Sequence, residues 1–154
     1  VSADNYFVDY QNYYTFLGVL SYRNMFVCAA EAFMKAGQND RAVEMLDKCG
    51  EVMHRYPIET IPIGFPGNDY MVIEMVKDYY QLGLPQKARQ LADEFSGELL
   101  HTASFYFDFY DWGRDEFETA GYYIYALADE LKRGGDADMA STLTKKFSGM
   151  IGAE

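Results

Sequence analysis

The residues best suited to chemistry are five carboxylates, Asp108, Asp111, Asp115, Glu116 and Glu118, gathered around Trp112. Two carboxylates held in different surroundings can share general acid and base work, and an indole face beside carboxylates suits a sugar ring. The same letters also spell a helix–turn–helix with a solvated acidic rim, and that packing reading is preferred. His54 stands beside Arg55 at a predicted helix end, where a cation suits the dipole. His101, in ELLHTASFYF, reads as an exposed or seam histidine. Cys28 and Cys49 are the only cysteines, one on each arm of a predicted hairpin; two packed small residues and a disulfide both fit, the former better. No CxxC, Gly-rich phosphate loop, Ser-His-Asp order or HExxH is present. The expectation is therefore no catalytic residue, no metal ligand and no cofactor site.

The elements that carry these residues read as helices. Residues 21–55 form a predicted hairpin, its first arm striped by Phe26, Ala29, Ala30, Phe33 and Met34 at helical period. The second arm carries Ala42, Val43, Leu46, Cys49, Val52 and Met53, with the i,i+4 pairs Glu44/Lys48 and Glu51/Arg55 on its wet side. Ser21 and Asn39 are predicted N-caps, and Gly37 closes the turn. Before it, residues 1–20 are an aromatic lead-in, with Tyr6, Phe7, Tyr10, Tyr13 and Tyr14 laid against the hairpin. Three prolines and two glycines make 56–67 a loop that ends the helix near Tyr56.

A second hairpin spans 68–111. Its first helix, Tyr70 to Leu82, presents Val72, Met75, Val76 and Tyr79, and Gly83-Leu84-Pro85 makes the turn. Its second helix carries Ala88, Leu91, Ala92, Phe95 and Leu99 and can run on through Ala103, Tyr106 and Tyr110, projecting or kinking at Ser96-Gly97. Trp112-Gly113-Arg114-Asp115 breaks the pattern. A third hairpin spans 114–151, with helices near Glu116 to Lys132 and Asp136 to Met150 either side of Gly134-Gly135.

The 154 residues suffice for one domain with a sizeable core. The 14 Tyr and 11 Phe exceed what such a core absorbs, so some aromatics belong to a surface, seam or groove. A net charge of -11 disfavours nucleic acid and anionic membranes as partners. No run reaches the ~20 apolar residues of a membrane span, so direct membrane insertion is not expected. The non-methionine start at Val1 suggests an excised piece of a longer protein.

The three turns align. Gly37, Gly83 and Gly135 are each followed five residues later by an alanine, Ala42, Ala88 and Ala140. Phe33, Tyr79 and Leu131 stand four before each glycine, and Ala30, Val76 and Ala128 seven before. Leu46, Ala92 and Thr144 follow each alanine by four, and Cys49, Phe95 and Phe147 by seven. Small residues let two helices cross closely while large ones plug the seam to the next hairpin. This pattern resembles the tetratricopeptide repeat, which implies an all-α fold of stacked antiparallel helical hairpins, about six main helices in a right-handed array, within a single domain over 1–154. The glycines stand 46 and 52 residues apart, against about 34 in the standard repeat, so the repeats are irregular.

A narrower resemblance lies in Arg23–Phe26 (R-N-x-F), Leu46–Cys49 (L-D-K-C) and Tyr79–Gly83 (Y-Y-x-x-G). Over residues 20–110 the chain resembles the soluble C-terminal region of a family of large Bacteroidetes inner-membrane proteins of unknown function, whose membrane part resembles lipid-linked-sugar glycosyltransferases. The resemblance implies an accessory module facing the periplasm, without the catalytic part.

The expected function is then a non-catalytic module that binds a peptide or protein segment, or its own parent membrane domain. Tyr22, Arg23, Phe26, Tyr70, Tyr122 and Tyr125, on the first helix of each pair, are the candidate contacts. The alternative is a carbohydrate-contacting accessory domain using the Phe105–Trp112 aromatics.

Overall fold

The computed structural model describes the backbone of residues 19–52 and 68–152, and the side chains of 22–52 and 70–152. The lead-in aromatics from Tyr6 to Tyr14, the loop 56–67, Met53, His54 and Arg55 lie outside those residues. Among the described residues all regular structure is helical: α1 Val19–Lys35, α2 Asn39–Val52, α3 Asn68–Gln81, α4 Pro85–Phe107, α5 Tyr110–Arg133 and α6 Ala137–Ile151. They form antiparallel hairpins of tetratricopeptide type. The chain divides into two units, Val1–Arg55 with the α1–α2 hairpin, and Tyr56–Glu154 with the α3–α4 and α5–α6 hairpins.

The three hairpin turns are the same object. Gly37, Gly83 and Gly135 take φ of 72°, 74° and 92°, the left-handed conformation that glycine adopts without steric cost. The N–H after each glycine donates five residues back: Gln38 to Phe33 (2.9 Å), Leu84 to Tyr79 (2.8 Å) and Asp136 to Leu131 (2.8 Å). Each glycine N–H donates three residues back, completing a Schellman closure. The residue after the glycine then accepts the first bond of the next helix, from Ala42, Ala88 and Ala140 in turn. All three alanines are fully buried, as are Ala30, Val76 and Ala128 before the turns. The spacing seen in the sequence is therefore a repeated piece of backbone. Two of the turns also share a cation over an aromatic ring: Arg41 lies 4.1 Å from the Phe33 ring centre and Lys87 5.8 Å from that of Tyr79. In the third turn Leu131 and Met139 hold those positions.

Several local expectations change. The first helix begins at Val19, so Ser21 lies in its first turn instead of capping it. Asn39 is likewise the first helical residue, and the Gln38 carbonyl takes the capping position. Lys48 reaches forward to Glu51 (2.8 Å), a surface pairing worth a few tenths of a kcal/mol in either direction. Helix α4 is continuous through Ser96-Gly97, and the buried Ser96 hydroxyl is satisfied by donating to the Asp93 carbonyl (2.9 Å) within the helix. The break expected within Trp112–Asp115 falls at Gly113, inside α5, with φ -106° and ψ 18°.

In the second unit α5 is the central element, packed on α3, α4 and α6. Phe95 and Leu99 of α4 and Ile124, Leu127 and Leu131 of α5 have no solvent exposure. Each such side chain contributes roughly 1.5–3 kcal/mol relative to an exposed one. Two α5 glycines and Gly134, which caps its C-terminus, receive an aromatic ring from three different helices. A Cβ at Gly113 would stand 2.5 Å from Tyr106 of α4, at Gly121 2.7 Å from Phe147 of α6, and at Gly134 2.6 Å from Tyr80 of α3. Part of the aromatic surplus is thus spent seating helices on glycine.

Candidate interaction surface

The turn between α4 and α5 is made by Asp108 and Phe109. Phe109 accepts backbone bonds from Trp112 (3.1 Å) and Gly113 (2.9 Å), which starts α5 and sets Trp112 in its first turn. Gly113 lies under the Tyr106 ring, so the helix kinks there and leaves the preceding turn pointing away from the core. The result is a run of exposed rings. Phe105 meets Phe109 at 5.3 Å, and Phe109 meets Trp112 at 5.3 Å, with ring planes tilted 51° and 47°. Trp112 is 70% exposed, more than any other large apolar side chain described.

The five carboxylates of this segment are all exposed. The one cation of the segment, Arg114, donates to Glu118 (2.7 Å) and lies over the Tyr110 ring. His101 is exposed on α4.

Of the first-helix candidates, Tyr22, Tyr70, Tyr122 and Tyr125 are each about half exposed or more, and Phe26 is half-buried. Tyr125 sets its ring edge-on to Phe147, and Tyr122 packs edge-on to Tyr123. Arg114, Glu118 and Tyr122 follow one another at i,i+4 and so share one face of α5. Arg23 differs from the tyrosines: it is buried, with its guanidinium beside the Cys49 thiol. Burial pushes that thiol up from its ordinary pKa, and the nearby Arg23 charge and hydrogen bond partly offset the effect. Cys28 is exposed, its Sγ donating to Asn24 Oδ1 (3.4 Å), so the two cysteines are free and only Cys49 belongs to the core.

A polar cluster absent from the motif reading joins the two hairpins of the second unit. Asp136, at the α5–α6 turn, accepts from Tyr80 Oη at the end of α3 (2.5 Å) and from two nitrogens of Arg89 in α4 (2.8 Å each). The Arg89 hydrogen bond foremost, and that of Tyr80, hold the Asp136 carboxyl below its ordinary range against its burial. Burial and then the Asp136 hydrogen bond push the Tyr80 hydroxyl up. The only advance signal was chemical type, since the three residues are 9 and 47 positions apart along the chain. Beside this cluster is a cleft of about 450 Å³ lined by Lys77, Tyr80, Gln81, Glu130, Arg133 and Gly134. Its cations are paired, Lys77 with Glu74 and Arg133 with Glu130.

Comparison with family models, curated proteins and solved structures finds no match to the chain. Among the described residues no helix is long and apolar enough to cross a membrane.

Proposed function

We propose that the chain is a non-catalytic docking module that binds a peptide or protein segment through the first helices, α3 and α5, of the two hairpins of its second unit. The observation that carries this reading is the set of exposed tyrosines, Tyr70 on α3 and Tyr122 and Tyr125 on α5, presented by a repeat whose turns share one backbone closure. Repeat arrays of this kind use their faces, and aromatic side chains supply contact area at small entropic cost. The finer reading is an accessory domain on the periplasmic side of the inner membrane, docked on the membrane part of its own parent chain. The R-N-x-F, L-D-K-C and Y-Y-x-x-G elements support it. Sequencing the coding region upstream of Val1 tests it, and an upstream region without membrane-spanning segments refutes it. With that membrane part in detergent, replacing both Tyr122 and Tyr125 by Ser should weaken binding at least ten-fold, and unchanged affinity refutes docking through this face.

Trp112 motivates a second reading, carbohydrate contact. A glycan array compared between the native chain and Trp112→Ala decides it. The mutual tilt of the neighbouring rings favours a protein partner, because a pyranose stacks best on a flat platform.

A further inference from the structure

We infer that the Phe105–Phe109–Trp112 corner is a second interaction surface, whose occupant is a cationic, apolar segment of another protein that sets an arginine or lysine against the Trp112 face. It goes beyond the first-helix face proposed above and shares with it only the general docking reading.

The surface is apolar. At 49%, 43% and 70% exposure the three side chains leave roughly 300 Å² of ring open, comparable to the largest patch on a typical monomer. The tilted rings brace one another, with Phe109 in contact with both Phe105 and Trp112, so little ordering is left for a partner to impose. Charge selects the occupant. Asp108 and Asp111, both exposed, flank Phe109 and Trp112 in the chain, and from Gln90 to Gly113 the chain carries no lysine or arginine. Beyond Gly113 the first cation, Arg114, is already bound to Glu118 and Tyr110, and Asp115 and Glu116 add exposed negative charge. An incoming ammonium or guanidinium therefore meets aromatic faces beside exposed carboxylates, with Arg114 already engaged by Glu118 and Tyr110. Such a cation over an indole contributes even at an exposed site, and more once water is excluded. Acidic segments and polyphosphates meet only repulsion here.

Trp112 is the sole tryptophan, so its emission reports this corner directly. The test titrates the whole chain with a short peptide alternating arginine and leucine, with its glutamate counterpart, and with a linear glucose oligosaccharide. The arginine peptide should shift the emission to the blue and lose affinity several-fold on raising salt from about 50 to 300 mM. The Asp108→Asn, Asp111→Asn double variant, altered only at exposed positions, should bind it roughly five- to ten-fold more weakly, as should Phe109→Ala. The proposal is overturned if the glutamate peptide shifts the emission equally, if the double variant binds undiminished, or if only the oligosaccharide responds. Tyr122→Ser should leave the arginine-peptide titration unchanged. Failure here alongside intact Tyr122-dependent partner binding removes this surface and leaves the first-helix reading in place.

Discussion

Replacing Gly121 by alanine tests whether α5 is seated on glycine. The new methyl would lie 2.7 Å from Phe147 Cζ and 3.1 Å from Cε1. Carbon atoms settle at about 3.5–4 Å, so the ring must retreat by roughly 0.8 Å. It has little room, being buried, stacked on Phe117 at 5.4 Å and set edge-on to Tyr125 at 5.8 Å. Overpacking of this kind costs about 1–3 kcal/mol, and removing a mid-helix glycine returns up to about 1 kcal/mol. The net expectation is a loss of about 1 kcal/mol. Gly97→Ala is the control: Gly97 is exposed in mid-α4 with nothing within 4 Å of a new Cβ, so only the propensity gain of about 0.5–1 kcal/mol applies. Thermal unfolding followed by circular dichroism should place the two variants roughly 3–8 °C apart, on opposite sides of the parent. Adding Phe147→Leu should remove most of the Gly121→Ala penalty in a double-mutant cycle. A Gly121→Ala chain as stable as Gly97→Ala, or a penalty indifferent to Phe147→Leu, refutes the reasoning.

The Asp136 carboxyl gives a pH-dependent prediction. Its folded pKa is depressed below the unfolded value near 3.9, so its stabilisation is complete above about pH 4 and disappears as pH falls through the folded value. Asp136→Asn should therefore be less stable than the parent at neutral pH, by an amount that closes only below about pH 4; urea midpoints that differ equally at pH 7 and pH 2.5 would rule out charge as the cause. The thiols give another. Cys28 should react quickly with an aromatic disulfide reagent and Cys49 only on unfolding, since burial withholds both access and thiolate. Equal rates in the native chain, or a Cys28→Ser variant that still shows a fast thiol, would contradict that placement.

The turns were legible because a Schellman closure needs glycine at a positive φ, and the alanine five residues on marks where two backbones approach. Both are local demands, so a spacing of five carries them. The seats for Tyr80, Tyr106 and Phe147 were not legible. Gly113, Gly121 and Gly134 have negative φ or ordinary helical geometry, and their reason for being glycine is a ring from another helix. Nothing near them in sequence announces that ring. The break within Trp112–Asp115 was legible and falls at Gly113, whereas Ser96-Gly97, a weak point by composition, does not bend; what the spacing did not show is the Tyr106 contact over Gly113. Arg23 shows the same limit, since a cation in a first-helix stripe reads as exposed until the neighbouring helix supplies Cys49.

The exposed corner misleads periodicity most instructively. Phe105, Phe109 and Trp112 stand at i, i+4 and i+7, the spacing by which a helix builds a core-facing stripe. On α4 that row lies roughly a third of a turn from the buried Ala92, Leu99 and Ala103, and Phe105 is exposed although α4 runs past it. Then α4 ends at Phe107 and α5 begins at Tyr110, and Gly113 kinks the new helix, so the buried positions pass from Ala103 to Gly113 and Phe117. A polar residue in those positions would cost the fold little, because no core contact depends on the exposed Trp112 ring. Three large rings are nonetheless held there, braced on one another in a cation-free stretch of chain. Packing within the described residues does not require that arrangement, whereas a cationic partner would.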